Sequence, residues 1–172
     1  MSFTEAIKTC LSKYVTFSGR ARRSEYWWFI LFAVLGAALF SLLDTVLFGA
    51  SQPSASTGNG PLTSVFNLAI LLPVLAAAWR RLHDTGRPGW YILIPMMVSA
   101  AFLGAMFLGV MTFGVIERAG VDSDTLRGGA SAFGITGLII AGIVQLVVSV
   151  LMLYWLTRPS QPEANEYGPV PA

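Results

Sequence analysis

The stretch that decides the fold is residues 26–48, which read YWWFILFAVLGAALFSLLDTVLF and carry a single charge, Asp44. An α-helix of about 20 apolar residues crosses the ~30 Å hydrocarbon core of a bilayer, so this stretch is long enough to span a membrane. It must be helical there, because a segment in lipid can satisfy its backbone polar groups only internally. A cleaved signal peptide is a poor alternative, since its apolar core is only about 7–15 residues long.

Three further apolar stretches follow, at residues 62–79, 90–116 and 133–157, and none of them contains a charge. Hydrophobic residues make up 55% of the chain, charged residues 12%, and the mean hydropathy is +0.66. This composition excludes a soluble domain, a disordered chain and a nucleic-acid-binding module, because each needs far more polar surface. The sequence predicts an all-α polytopic membrane protein, with four transmembrane helices in a bundle and a single membrane domain over residues 1–172.

The segment before the first span predicts a short amphipathic helix over residues 3–15. Apolar residues recur there at helical spacing, and Ser2 and Glu5 have the spacing of a capping box. We expect this helix to lie on the cytoplasmic leaflet, which is compatible with packing beneath the bundle. Its apolar positions are Phe3, Ile7, Cys10, Leu11 and Tyr14.

The basic residues predict how the chain is threaded. Of the eleven Lys and Arg, five precede the first span, three lie between the second and third spans, and one lies in the tail, residues 158–172. The loop between the third and fourth spans, residues 117–132, holds the other two. The loop between the first and second spans, residues 49–61, holds none. Basic residues favour the cytoplasmic side, so we expect both termini and the middle link in the cytoplasm. The Pro-rich tail is predicted to be extended rather than folded.

Aromatic residues agree with this threading. All five tryptophans fall at span ends assigned to the cytoplasmic face, where amphipathic rings prefer the headgroup level. The favoured interpretation is a belt at the lipid interface, and the alternative is an aromatic ligand cage. The tryptophans are Trp27, Trp28, Trp79, Trp90 and Trp155.

Three polar residues within the spans are candidates for transport or for helix packing. Gln145 shares a helix face with Gly134, Gly137 and Ala141, and a central Gln more often hydrogen-bonds a neighbouring helix than binds a transported ligand. Asp44 is an intramembrane acid, which is a functional hypothesis by default. Its shallow position favours an acid at the outer interface, bonded to Asn67.

Two motifs at the cytoplasmic span ends carry the informative polar residues. They are F-S-G-R-A-R-R-S-E-Y-W-W-F at residues 17–29 and R-R-L-H-D-T-G-R-P-G-W at residues 80–90. Each combines arginines with one acid at a membrane boundary, so we expect an ion-pair network in which Glu25 meets Arg80 or Arg81, and Asp84 meets Arg22 or Arg23. The rival interpretation is binding of lipid headgroups. The candidate cluster is Arg20, Arg22, Arg23, Glu25, Arg80, Arg81, His83 and Asp84.

Enzymatic interpretations of these motifs are weak. His83 and Asp84 are adjacent in sequence, so they rarely face each other, and no Ser or Cys stands as an obvious nucleophile. One Cys and one His exclude a multi-ligand Cys/His metal site. We therefore expect no catalytic residues, no metal and no cofactor, and we interpret His83 as a hydrogen-bonded residue at the interface.

These two motifs, followed by N-E-Y-G-P at residues 165–169, resemble the three signatures of the bacterial inner-membrane family catalogued as domain of unknown function 805, the YhaH/YhaI-like proteins. The resemblance covers about residues 17–169. It implies a four-helix domain of the bacterial inner membrane and no established activity.

Three functions are weighed against this background. The first is a non-enzymatic membrane module whose cytoplasmic Arg/Trp face contacts anionic lipid headgroups or a membrane or cytoplasmic protein partner. The second is a small oligomeric transporter or channel, and a homo-oligomer of this chain fits that hypothesis. The third, an enzyme acting on a lipid phosphate, lacks a convincing nucleophile or metal. Nucleic acid is not an expected partner.

Overall fold

The computed structural model describes residues 1–49, 60–118 and 123–171, apart from the side chains at 116–117, 123–133 and 135. Most of the 49–61 loop and part of the 117–132 loop therefore lie outside the described residues. The described chain forms helices and no strand, as the sequence predicts. The helices are α1 (Phe3–Ser12), α2 (Arg23–Phe48), α3 (Pro61–Asp84), a 3₁₀ helix (Gly89–Leu93), α4 (Ile94–Arg118) and α5 (Ser123–Thr157).

Four helices in the described chain are long and apolar enough to cross a membrane, which confirms the predicted number of spans. The candidate spans are Arg23–Phe48, Pro61–Asp84, Gly89–Val115 and Thr136–Thr157. Their exposed surfaces are apolar, as lipid-facing surfaces must be: Val46 is 79% exposed and Leu68 is 73% exposed. The described chain divides into two compact units, Met1–Gly89 with Trp155–Ala172, and Trp90–Tyr154.

In the first unit, α1 begins with the predicted capping box. The hydroxyl of Ser2 accepts from the backbone N–H of Glu5, and the Glu5 carboxylate accepts from the backbone N–H of Ser2 at 2.7 Å. These bonds satisfy N–H groups that have no partner inside the helix, and they lower the pKa of the Glu5 carboxyl. The helix packs against α2 and α3 through Ala6 and Cys10, which are both 0% exposed. It ends at Ser12, one turn earlier than predicted.

Helices α2 and α3 pack against each other through aromatic rings. Phe66 of α3 stacks on Phe40 of α2, with ring centroids 4.9 Å apart. The ring of Phe66 also lies against Gly36, where a Cβ atom would overlap it. A small residue on one helix therefore accommodates a ring on the other, which allows close approach of two helices in a membrane.

In the second unit, a polar contact joins α4 to α5. The hydroxyl of Ser99 lies 3.3 Å from Oε1 of Gln145 and donates to the carbonyl of Pro95 at 2.9 Å. Gln145 thus contacts a neighbouring helix, which is the packing role favoured from the sequence.

Candidate functional site

The motif R-R-L-H-D forms the last turn of α3 and is buried throughout. The helix continues beyond Trp79, where the sequence placed the end of the second span, and ends at Asp84. It stops because the chain turns at Thr85, whose hydroxyl donates to the carbonyl of Leu82 at 2.9 Å, and at Gly86, which has φ +72°. Glycine adopts this left-handed conformation without the strain that a Cβ atom would add.

Asp84 lies at the centre of a buried ion-pair cluster. One carboxylate oxygen accepts from Nε of Arg20 at 3.0 Å, and the other pairs with Nη1 of Arg81. Both oxygens and both arginines are shielded from solvent: the Arg20 side chain is 1% exposed, and those of Arg81 and Asp84 are 0% exposed. The prediction that Asp84 meets Arg22 or Arg23 is therefore wrong.

The direction of the chain before α2 explains why Arg20 is the partner. The backbone N–H of Ala21 donates to the carbonyl of Arg80 at 3.1 Å, which holds this extended segment against the end of α3. Arg20 lies next to that bond and is buried. Arg22 is the N-cap of α2, Arg23 is its first residue, and both side chains are exposed.

Glu25 forms the second buried ion pair, and its partner is one of the two expected from the sequence. Its Oε1 lies 3.1 Å from Nη2 of Arg80, and both side chains are nearly inaccessible. The thiol of Cys10, from α1, lies 3.8 Å from the same oxygen. Nε and Nη1 of Arg80 have no hydrogen-bond partner in the described part of the chain. The pair and the thiol together join α1, α2 and α3.

Arg81 caps the end of α5. Its Nε donates to the carbonyl of Leu156 at 3.0 Å, and its Nη2 donates to the carbonyl of Arg158. The last carbonyls of a helix have no partner within the helix, and a cation also interacts favourably with the negative end of the helix dipole. Arg81 therefore stabilises both the Asp84 carboxylate and this helix end.

The tail is packed on the cluster, which corrects the expectation that it is only an extended segment. The guanidinium of Arg20 donates to the carbonyls of Glu163 at 2.7 Å and Gln161 at 2.8 Å. In return, the backbone N–H of Gln161 donates to the carbonyl of Asp84 at 3.1 Å. Composition missed this contact because a Pro-rich segment offers little apolar surface, whereas its backbone carbonyls supply the acceptors here.

The N-E-Y-G-P motif of the tail holds His83. The ring of Tyr167 stacks on the His83 ring with centroids 3.9 Å apart, and the side-chain amide of Asn165 donates to the His83 carbonyl at 2.9 Å. Nδ1 of His83 lies 3.1 Å from the carbonyl of Gly19, which can only accept, so this nitrogen carries the proton. The three motifs therefore meet at one place, and this motif was the sequence signal for a docked tail.

The predicted aromatic residues lie in pairs. Each of the five tryptophans contacts another ring or a guanidinium: Trp27 contacts Tyr26, Trp28 contacts Phe3, Trp79 contacts Phe17, Trp90 contacts Tyr91, and Arg87 lies 5.0 Å above the ring of Trp155. Trp28 and Trp90 are the most open of these, at 40% and 50% exposed. A role at the headgroup level remains a prediction.

Asp44 caps the start of α3. The expectation that it bonds to Asn67 is wrong. Its carboxylate accepts from the backbone N–H groups of Leu62 at 3.0 Å and Thr63 at 2.8 Å, and from the Thr63 hydroxyl at 2.7 Å. Asn67 is exposed, one helical turn further on. An acid prefers the positive end of the helix dipole and the unpaired N–H groups there, which a more distant amide cannot match.

The two exposed arginines differ from the buried ones. Nε and Nη2 of Arg22 both donate to the carbonyl of Pro171, at 3.0 and 2.9 Å. No hydrogen bond or ion pair joins Arg23 to a residue in the described part of the chain.

Within those described residues, no three His, Cys, Asp or Glu side chains come together in a group that could hold a metal ion.

Comparison with known proteins identifies the family. A family model described as "Protein of unknown function (DUF805)" matches residues 14–169, which include all three motifs. The chain belongs to the DUF805 family. This confirms the resemblance seen in the motifs, and the residues of the buried ion pairs described above all lie within the matched range.

Relatives of this DUF805 chain include inner membrane proteins of Escherichia coli. YhaH of strain K12 and YhaH of strain O157:H7 are each 43% identical over 84 residues, covering 49% of this chain and 66% of YhaH. YhaI of strain K12 is 44% identical over 84 residues, covering 49% of this chain and 64% of YhaI. The match thus spans just under two thirds of each relative. No solved structure matches the chain.

Proposed function

We propose that this chain is a non-enzymatic module of the bacterial inner membrane whose Arg/Trp end lies at the cytoplasmic face and contacts anionic lipid headgroups. The observation that carries the proposal is the division of the arginines. Arg20, Arg80 and Arg81 are buried with acids and backbone carbonyls, whereas Arg22 and Arg23 are exposed where α2 begins.

The exposed arginines lie close in sequence to an exposed aromatic ring. Trp28 is 40% exposed and follows Arg23 by little more than one helical turn on the same helix. A cation outside an aromatic belt is typical of the headgroup level of a membrane protein. Juxtamembrane basic residues gain about 1 kcal/mol each near an anionic leaflet. The buried arginines are unsuited to this role, because their side chains are at most 1% exposed.

The cytoplasmic placement rests on the distribution of charge. Nine of the eleven Lys and Arg lie on the side of the termini, and the relatives are named as inner membrane proteins. Cysteine labelling of intact cells, in a Cys10→Ala background, tests it. We expect an impermeant thiol reagent to label Ser54→Cys and not Glu166→Cys. Labelling of Glu166→Cys from outside would overturn the orientation.

Photocrosslinking tests the lipid contact. The full chain is placed in lipid nanodiscs that contain neutral and anionic phospholipids, with a photoreactive phenylalanine at Trp28 or, as a matched control, at Val46 near the other end of α2. We expect anionic lipid to be enriched in the crosslinks at position 28 relative to position 46. Equal lipid composition at both positions would overturn the proposal, as would crosslinks in native membranes to protein alone.

The transporter interpretation ranks second. The Gln145 amide oxygen lies 3.3 Å from the Ser99 hydroxyl of a neighbouring helix, so the polar side chain that a transport pathway would need already takes part in a contact between helices. Polar contacts of this kind between membrane helices are common in packing, and hydrogen bonds there are worth about 0.6 kcal/mol on average.

A further inference from the structure

A groove of about 370 Å³ lies between the start of α2 and the end of the tail. This volume falls within the range of about 300–1,000 Å³ that is usual for small-ligand sites. The groove combines guanidinium groups, hydroxyls and a small apolar wall. Its lining residues are Arg22, Arg23, Ser24, Ser160, Val170 and Pro171.

Arg22 uses the Nε–Nη2 edge of its guanidinium to hold an acceptor that lines this groove. Its Nε and Nη2 both donate to one oxygen, the carbonyl of Pro171, at 3.0 and 2.9 Å. This edge of the guanidinium is the one that binds phosphate and carboxylate in a fork. A neutral carbonyl is a weaker acceptor for a cation than a phosphate oxygen, because hydrogen bonds between two charged groups are roughly twice as strong.

Other donors of the groove converge on the same end of α2. Among the described residues no side chain caps the start of this helix, so its first-turn N–H groups have no side-chain acceptor there. Such a helix start attracts anions. Arg23 is exposed beside it, and the hydroxyls of Ser24 and Ser160 line the same groove. The acid of the first turn, Glu25, is buried, and its charge is paired with that of Arg80.

We infer that this groove binds the phosphate of an anionic lipid headgroup, and that the Pro171 carbonyl holds the place on Arg22 that a phosphate oxygen takes in the bound state. The inference rests on the proposed function and names the binding site for it. A lipid is the expected source of the phosphate, because the groove opens where a membrane-spanning helix begins, at Arg23. Binding then exchanges one acceptor of Arg22 for another and releases the end of the tail.

The binding test uses the full chain in neutral phosphatidylcholine nanodiscs with and without phosphatidylglycerol, and native mass spectrometry to count bound anionic lipid. We expect Arg22→Gln and Arg23→Gln each to weaken binding by roughly tenfold, the loss expected for a charge-assisted hydrogen bond. Lys8→Gln is the matched control, because it removes an equal charge from an exposed position on α1. Arg22→Lys keeps the charge but not the fork, so we expect it to weaken binding as well.

The tail test uses a nitroxide spin label at Val170→Cys in a Cys10→Ala background. We expect phosphatidylglycerol to increase the mobility of this label, and the increase to disappear with Arg22→Gln, whose tail is already released. The same label in neutral nanodiscs with inorganic phosphate tests the source of the phosphate. An equal response to inorganic phosphate at submillimolar concentration would overturn the assignment to a lipid.

Two results separate this inference from the proposed function. If wild-type protein enriches anionic lipid but Lys8→Gln weakens binding as much as Arg22→Gln and Arg23→Gln, the contact is diffuse and the groove is not the site. If wild-type protein shows no preference for anionic lipid in crosslinking or mass spectrometry, the proposed function itself fails. A label at position 170 that does not respond to anionic lipid would overturn the exchange at Arg22.

Discussion

His83 and Tyr167 stack face to face, with ring centroids 3.9 Å apart and ring planes within 9° of parallel. The pair joins the end of the second membrane span to the tail. Asn165 reinforces it by donating to the His83 carbonyl. The tail is thus held by a side-chain stack as well as by the carbonyls that Arg20 binds, and its docking can be tested independently of the ion pairs.

Removal of the stack should loosen the tail without unfolding the helices. We expect Tyr167→Ala and Asn165→Ala to speed hydrogen exchange at the Gln161 amide, which donates to the Asp84 carbonyl, by roughly two- to tenfold. Glu166→Ala is the control, because this exposed side chain lies between the two contacts. Exchange that is equally fast in all three variants would show that His83 does not hold the tail.

A double-mutant cycle should assign the partner of Asp84. We expect Asp84→Ala to lower the free energy of unfolding in detergent by about 3–5 kcal/mol, because it leaves buried guanidinium groups without their carboxylate. It should couple to Arg20→Ala by about 1–3 kcal/mol and be additive with Arg23→Ala. Coupling to Arg23 instead of Arg20 would contradict the structure and restore the pairing expected from sequence.

Gly89 should tolerate no side chain. A Cβ atom at this position would overlap the ring of Trp79, whose neighbours leave it little room to move. We expect Gly89→Ala to lower the free energy of unfolding by about 1–3 kcal/mol, the usual cost of overpacking. Gly104→Ala is the control, because a Cβ atom there meets nothing within 4 Å. The measurement is thermal unfolding in detergent, and equal melting temperatures for the two variants would refute the argument.

Asp44 should matter as a helix cap. We expect Asp44→Ala to destabilise the chain by about 1–2 kcal/mol, because the first N–H groups of α3 lose their acceptor in a poorly hydrated place. Asn67→Ala should have almost no effect, since Asn67 is exposed and makes no contact with the carboxylate. A larger effect at Asn67 than at Asp44 in detergent unfolding would favour the pairing first expected.

The thiol of Cys10 should be unreactive in the folded chain. Burial, followed by the nearby Glu25 carboxylate, raises the pKa of this thiol to about 12 from 9.0. A maleimide should therefore label Cys10 only after denaturation, whereas Ser12→Cys in a Cys10→Ala background should react at once. Rapid labelling of native Cys10 at neutral pH would contradict its burial.

The raised pKa of the Cys10 thiol also predicts that the stability of the folded chain depends on pH. Unfolding lets the thiol ionise near its ordinary pKa of 9.0, while the folded chain keeps it protonated up to about pH 12. Stability relative to Cys10→Ser should thus be constant below pH 9 and fall as the pH rises from 9 towards 12. A constant difference in the free energy of unfolding across that range would show that the thiol is not perturbed.

Local patterns in the sequence determined the fold class and much of the local structure. The length of the apolar stretches predicted the four spans, because the bilayer thickness fixes the length a helix needs. The spacing of Ser2 and Glu5 predicted the cap of α1, because those bonds form within one helical turn. The three motifs predicted the DUF805 family. The Glu25–Arg80 pair was among the partners expected, since each charge lies at a predicted helix end.

Only the tertiary structure decided which arginine meets Asp84, what Asp44 binds and where the tail lies. Arg20, Arg22 and Arg23 offer the same charge within a few residues, and sequence cannot show which of them turns inward. The hydrogen bond from Ala21 to Arg80 sets the direction of that segment and buries Arg20. The partner of Arg20, Asp84, lies 64 residues away in the chain, and the tail carbonyls that Arg20 binds lie more than 140 residues away. No local sequence pattern can therefore predict these contacts. The tail docks partly through backbone carbonyls, which every residue carries and which composition therefore cannot reveal.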